Sequence, residues 1–181
     1  MTRKIFLVLI AFALVLAGFW FGHARKKDPE PPVILKEVQT LGELVTVKYV
    51  MEKVVTHEIE RTFGKDRVLL IAQGVVKAGI DLRKMTNEDI RIGADSVSFH
   101  LPRSEVTDKY LVEKETFVYD RRTGFFIHPE KNLEAEARRI ALGAMLASAH
   151  ANGIHKDADD RAKALITKLG QQLGFKTVEF H

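Results

Sequence analysis

Lys77 and Asp81 stand four residues apart in "GVVKAGIDLRKM", residues 74–85, inside an otherwise apolar, strand-like run. A lysine and a carboxylate lining one cleft could work as an acid and base pair. The same residues also suit a turn. Gly79-Ile80-Asp81-Leu82 closes a strand, and Asp81 is placed to cap a single helical turn by accepting backbone N–H groups. Gly74 and Gly79 then supply backbone angles or a close approach that a β-carbon forbids. No nucleophile, second carboxylate or phosphate-cradling glycine pattern accompanies the pair, so turn-making is the expectation and catalysis the alternative.

A second grouping lies in "HANGIHKDADD", where His155 and Asp159 are four apart at a helix start, with Asp157 and Asp160 beside them. A metal needs three or four converging ligands, whereas acids in a first helical turn are already favoured by the helix dipole. "HEIER", residues 57–61, begins like a zinc-protease helix, but the position of the second histidine holds Arg61 and the segment reads as a strand. Arg121 and Arg122, read as a hairpin tip, could bind an anion or simply be solvated. His23, His100, His128 and His181 show no ligand spacing. We therefore expect no catalytic residue, no cofactor and no metal. The alternative is a hydrolase or metal-dependent enzyme of the envelope using Lys77 and Asp81, or the His155 to Asp160 cluster.

Composition narrows the classes further. The 181 residues include no cysteine, which excludes disulfides, thiolate metal sites, cysteine nucleophiles and lipidation at cysteine. The formal charge is +4, from 28 basic and 24 acidic residues. Arg3, Lys4, Arg25, Lys26 and Lys27 all precede the first acid, Asp28, and the remaining 23 basic residues face 24 acids. The part after Lys27 is not basic, so nucleic acid is not an expected partner.

Residues 5–22, "IFLVLIAFALVLAGFWFG", carry no charge and as a helix would cover about 27 Å, close to the ~30 Å hydrocarbon thickness of a bilayer. Phe19, Trp20 and Phe21 sit at one end and Arg25, Lys26 and Lys27 follow, as interfacial and headgroup anchors do. We read residues 1–27 as a single-pass membrane anchor with basic flanks, in preference to a cleaved signal ending at Gly22-His23-Ala24. Basic residues balance across the segment, so orientation is not fixed by charge, and a domain outside the cytoplasm (periplasmic) is the expectation adopted. "DPEPPV", residues 28–33, follows as a proline-rich extended spacer.

Residues 34–181 are expected to form a single α+β domain, a mostly antiparallel sheet with two C-terminal helices packed on it. Leu35, Val38, Leu41 and Val45 space as a short helix whose end Gly42 weakens, and from Val45 the apolar residues alternate as a strand, with a bulge or a twist expected at Val54-Val55. The apolar run Val68 to Ala72 predicts a central strand. "DIRIGADSVSFHLP" and "TFVYDRRTGFFIH" read as two hairpins, the second turning about Asp120 to Gly124. Helices follow from Leu133 to Ala151, rich in small residues, and over a stripe of Ala158, Ala162, Leu165, Ile166, Leu169 and Leu173, with Gly170 and Gly174 as candidate stops. "FKTVEF" predicts a last strand.

The segments "EVQTLGELVTVKYVMEKVV", "LLIAQGVVKAGIDL" and the closing "GF" resemble the bacterial membrane-anchored family catalogued as domain of unknown function 4230, over nearly all of residues 35–180. The resemblance implies one amino-terminal membrane segment and a compact α+β domain, and it brings no catalytic residues. The order of strands, helices and a final strand is similar, in layout alone, to stomatin and prohibitin-like membrane scaffolds. The expected function is a membrane-tethered, non-enzymatic binding or scaffold module that touches the lipid bilayer through residues 5–22 and meets a protein partner or another copy of itself.

Overall fold

The computed structural model describes residues 31–62 and 64–181. The expected membrane segment, residues 5–22, lies outside the described residues, as do residues 28–30 of the spacer. Among the described residues no helix is long and apolar enough to cross a membrane. Residues 31–181 form one compact unit.

Helix α1 runs over Pro31–Thr40, so the last three spacer positions are helical and not extended. Proline is tolerated in a first turn because the N–H it lacks would go unpaired there in any case. Two long strands follow, β1 over Glu43–Arg61 and β2 over Gly64–Asp81, paired antiparallel along their full length. The bulge falls at Val45/Val47, whereas Val54 and Val55 pair without a break opposite Ile71 and Leu70. Adjacent valines there place one side chain on each face.

Strand β2 is the centre of the larger sheet, as its apolar run predicts. Its second edge is shared end to end by β5, Glu105–Leu111, and β6, Phe117–Thr123, both antiparallel to it. The expected hairpin about Asp120 does not form. Residues Asp120 to Arg122 continue β6 as an edge strand, where polar side chains reach solvent, and the chain turns only at Gly124. A smaller sheet joins β3, Ile90–Ile92, to β4, Ser96–Phe99, as the expected first hairpin, and β4 pairs in parallel with β7, Thr177–Phe180.

Helices α2, Leu133–Ala151, and α3, Ile154–Gln172, pack on one face of β1 and β2. Each buries one residue per turn. Leu133, Ala137, Ala141, Met145 and Ala149 do so on α2, and Ile154, Ala158, Ala162, Ile166 and Gly170 on α3. Leu165, expected in the stripe, is exposed. The domain is thus α+β with mostly antiparallel sheets and two C-terminal helices. Its core has two clusters: one between the large sheet and α2, the other among α1, the small sheet and the second half of α3.

Two glycines show why the helices come so close. A β-carbon on Gly74 would lie 2.3 Å from Met145 Sδ and 3.2 Å from the Tyr110 carbonyl oxygen. On Gly170 it would lie 2.6 Å from Val178 Cγ2. Gly170 is therefore a contact with β7 rather than a helix stop, and the chain leaves α3 through Gly174 at φ +100°. Gly74→Ala should cost about 1–3 kcal/mol because Met145 is fully buried and cannot retreat without strain. Gly143→Ala, on the same helix with nothing within 4 Å, should add about 0.5–1 kcal/mol. Urea unfolding of both variants measures the contrast.

Candidate functional site

Most of the described residues singled out for chemistry are on helices and strands, and most are already held by a neighbour. Lys77 and Asp81 are not brought together as an acid and base pair. Lys77 Nζ donates to Asp108 Oδ2 of β5 at 3.0 Å and lies 5.2 Å from the Tyr110 ring centroid. The hydrogen bond to Asp108 stabilises the ammonium and raises its pKa. Asp81 caps the single 3-10 turn Leu82–Lys84, accepting from the Arg83 N–H at 3.1 Å and from the Arg83 side chain at 2.7 and 3.1 Å. The Arg83 guanidinium holds the Asp81 carboxyl below the usual carboxylate range. Turn-making is what the opening stretch does.

The His155 to Asp160 cluster separates in three directions. Asp157 accepts from the Tyr49 hydroxyl at 2.7 Å, a bond that raises the phenol pKa. Asp160 pairs with Lys156 at 2.7 Å, one helical turn away. Asp159 faces a different cavity, beside Arg103 and Lys163. His155 turns to the other side, its Nε2 3.0 Å from His150 Nδ1 in a stacked pair and its Nδ1 3.4 Å from Ser104 Oγ. These three, with Thr107 and Leu146, line an open cavity of about 490 Å³. Among the described residues no three His, Cys, Asp or Glu side chains converge to hold a metal ion. The sequence pointed to the aspartates, whereas the partners of His155 come from the preceding helix end and from the start of β5.

His57 lies on β1 and binds Glu136 of α2 at 2.9 Å, in keeping with a strand and not a metalloprotease helix. Arg121 is not on a hairpin tip. It reaches Asp66, a fully buried carboxylate, at 3.2 Å and the Glu130 carbonyl at 2.7 Å. Asp66 also accepts from the Thr123 hydroxyl at 2.9 Å and the Glu130 N–H at 2.6 Å. Arg122 pairs with Asp120 at 2.9 Å. Together Asp66 and Arg121 fasten the segment after β6 to the hairpin end.

Among the described residues, no helix or strand covers the face of the large sheet away from α2 and α3. Directly opposed residues share a face, so the register sets out its rows. Val54, Ile71 and Phe117 form one row, and Val50, Val75 and Tyr110 another. Val54 is 61 % exposed, Phe117 50 % and Tyr119, at the irregularity in β6, 69 %. Phe125 and Phe126, beyond the end of β6, are also exposed. Charged residues border the rows, among them Lys48, Glu52, Arg67 and Asp120. This face was not among the sequence-based expectations. Its signal was the alternation Lys48, Val50, Glu52, Val54, which puts valines on the side that a polar-out strand leaves to solvent.

A model of the family described as protein of unknown function (DUF4230) matches residues 36–180. No curated protein and no solved structure matches the chain.

The Asp66 arrangement gives a pH dependence of known sign. Burial pushes its carboxyl up, but the Glu130 N–H, the Thr123 hydroxyl and Arg121 outweigh burial and hold it below the ordinary value. A depressed folded pKa contributes stability above the unfolded value of about 3.9, and that stability is lost as pH falls through the folded one. Asp66→Asn should lower stability at neutral pH by on the order of 3 kcal/mol and flatten the loss below about pH 4. Denaturant unfolding at a series of pH values checks both.

Proposed function

Because the chain belongs to the family of proteins of unknown function DUF4230, its role has to be sought on its own surfaces, and we propose a membrane-tethered, non-enzymatic binding or scaffold module. Residues 5–22 hold it to a bilayer as a single pass, with the domain outside the cytoplasm. The observation that carries this proposal is the open face of the large sheet, with Val50, Val54, Tyr110, Phe117 and Tyr119 all exposed on three of its four strands.

Strand propensity and cross-strand pairing favour valine, tyrosine and phenylalanine in a sheet, but they do not cover these side chains. A half-buried strand commonly carries polar residues on its solvent side, and apolar surface rimmed by charge marks a contact for another protein. Aromatic side chains dominate such contacts because they cover large areas with few rotatable bonds. The tether supports the same reading, since confinement at a surface raises the effective concentration of partners and lets modest contacts suffice.

The test is photo-crosslinking from the full chain in its native membranes. A photoreactive residue at Phe117 or Tyr119 should give discrete protein adducts, while one at Glu88, exposed on a different element, should give none. Equal labelling from all three positions, or none from any, would overturn the proposal. An alkaline carbonate wash should leave the chain in the membrane pellet, and release of the intact chain would remove the tether.

A further inference from the structure

The outward edge of β1 narrows the choice of partner. At 19 residues the strand is more than three times the usual ~5–6, and among the described residues it pairs on one side only, with β2. Natural edges of this kind are blunted by proline, by short length, by charged side chains or by a covering element, and of these β1 has the charges, Lys48, Glu52, Lys53, Glu58, Glu60 and Arg61, which restrict what can pair with it. Residues 43–61 contain no proline and no glycine. Only the first few are covered: the bulge interrupts the strand at Val45/Val47, and Arg161 of α3 donates to the Thr46 carbonyl at 3.5 Å. Among the described residues, no hydrogen bond from beyond β2 reaches the backbone of residues 47–61.

We infer that this edge pairs with the same edge of a second copy of the chain, antiparallel, about a two-fold axis at Val54. This deepens the binding role proposed above and rests on it.

Two independent features fix the register. The free edge runs from Val47 to Arg61, so full overlap of two copies puts the axis at its midpoint, Val54. Charge then selects the same register. With the axis at Val54, Lys48 stands opposite Glu60 of the copy, twice by symmetry, and no two like charges are opposed. Among the described residues Lys48 has no ion pair, and the same is true of Glu52 and Lys53. Moving the axis by one residue sets Lys53 against Lys53, or Glu52 against Glu58. Moving it by two sets Glu52 against Glu52 or Glu60. An axis on an integral residue is required in every case, because a half-step would bring the helix-covered face of one sheet level with the open face of the other.

In this arrangement Val54, the most exposed residue of the strand's apolar row, meets its own copy on the axis, with Thr56 opposite Glu52. On the helix side Tyr49 faces Ile59 and Met51 faces His57. Fifteen residues of each strand pair over about 50 Å, and the two large sheets become one. The open faces stay available on either side of the axis, so a dimer formed this way presents Phe117 and Tyr119 twice.

The absence of cysteine makes the test direct, because any single cysteine is the only one in the chain. In the full chain in native membranes, Val54→Cys should form a disulfide-linked dimer on mild oxidation, since directly opposed residues approach to about 5 Å. Lys48→Cys and Glu60→Cys should each remain monomeric alone and crosslink to one another when the two variants are co-expressed. Lys48→Glu in the Val54→Cys background should lower dimer yield about tenfold, with Glu60→Lys restoring it. A monomeric Val54→Cys, or self-crosslinking at Lys48 equal to that at Val54, would overturn the inference. Adducts from Val54 to a different protein would also overturn it, while leaving the binding role intact. Loss of adducts from Phe117 and Tyr119 as well would take that role with it.

Discussion

The structure depends on one strand having two partners on the same edge. β2 is 18 residues long, and β5 and β6 are 7 residues each, so neither alone can satisfy its backbone. They meet at Gln73, where the ladder would otherwise leave a gap in the middle of the sheet. The Val112 N–H donates to the Gln73 carbonyl at 2.8 Å, and the buried Thr116 hydroxyl lies 3.3 Å from both the Gln73 N–H and its carbonyl oxygen. An unpaired backbone group there would cost about 1–3 kcal/mol, so this join is what allows the hairpin to be long. A hairpin that long needs cover over its whole length. Helix α2 supplies it along the sheet, and α3 continues past the end of the sheet into the second cluster, with Ala158 in one core and Ile166 in the other.

That cover is built from small residues. Alanine at 137, 141, 149, 158 and 162 and glycine at 74 and 170 bring backbone close to backbone, and the larger side chains fill the ends. Close approach on one face leaves the other face to its own devices. Here the distribution of bulk is the reverse of what folding alone requires: phenylalanine and tyrosine are outside, at 110, 117, 119, 125 and 126, while alanine lies within. Burying those rings against a partner would remove considerable apolar area from water, at roughly 25 cal/mol per Å² before the costs of association.

Much of the fold was legible because period and punctuation agree. The bounds of α2, the central run in β2, the Asp81 cap and the first hairpin all follow from spacing and from residues whose conformational preferences are local. The misreadings share a cause. Asp120-Arg121-Arg122 looked like a turn because polar residues cluster there, but Asp66, more than fifty residues earlier, draws Arg121 into an ion pair and the strand continues. Gly170 looked like a helix stop until Val178 of β7 proved to need its space. Val54-Val55 looked like a bulge because a strand with one dry face should not put valine on the wet one. In each case a tertiary partner decided what local pattern could not, and the candidate surface was hidden in the last of them. The ionisable residues were legible as residues and not as a site, since Lys77 pairs with Asp108 and Asp157 with Tyr49 across elements that the sequence keeps apart, while Asp81 and His155 are held by the near neighbours Arg83 and His150.

An edge strand is a different kind of contact from an apolar patch, because its hydrogen-bonding groups are already in line. A flexible segment that adds to a sheet must order about 1–2 kcal/mol of backbone entropy per residue, whereas residues 47–61 are ordered by β2 before any partner arrives. Binding then costs the loss of overall motion, and a tether to a shared bilayer removes part of that cost as well. On the proposed reading, the two features reinforce each other. The long preformed edge makes pairing possible with few side-chain contacts, and confinement makes it effective at ordinary abundance. The like-charge oppositions created by neighbouring registers keep such an edge from pairing indiscriminately, which is the hazard that an exposed strand of this length would otherwise carry.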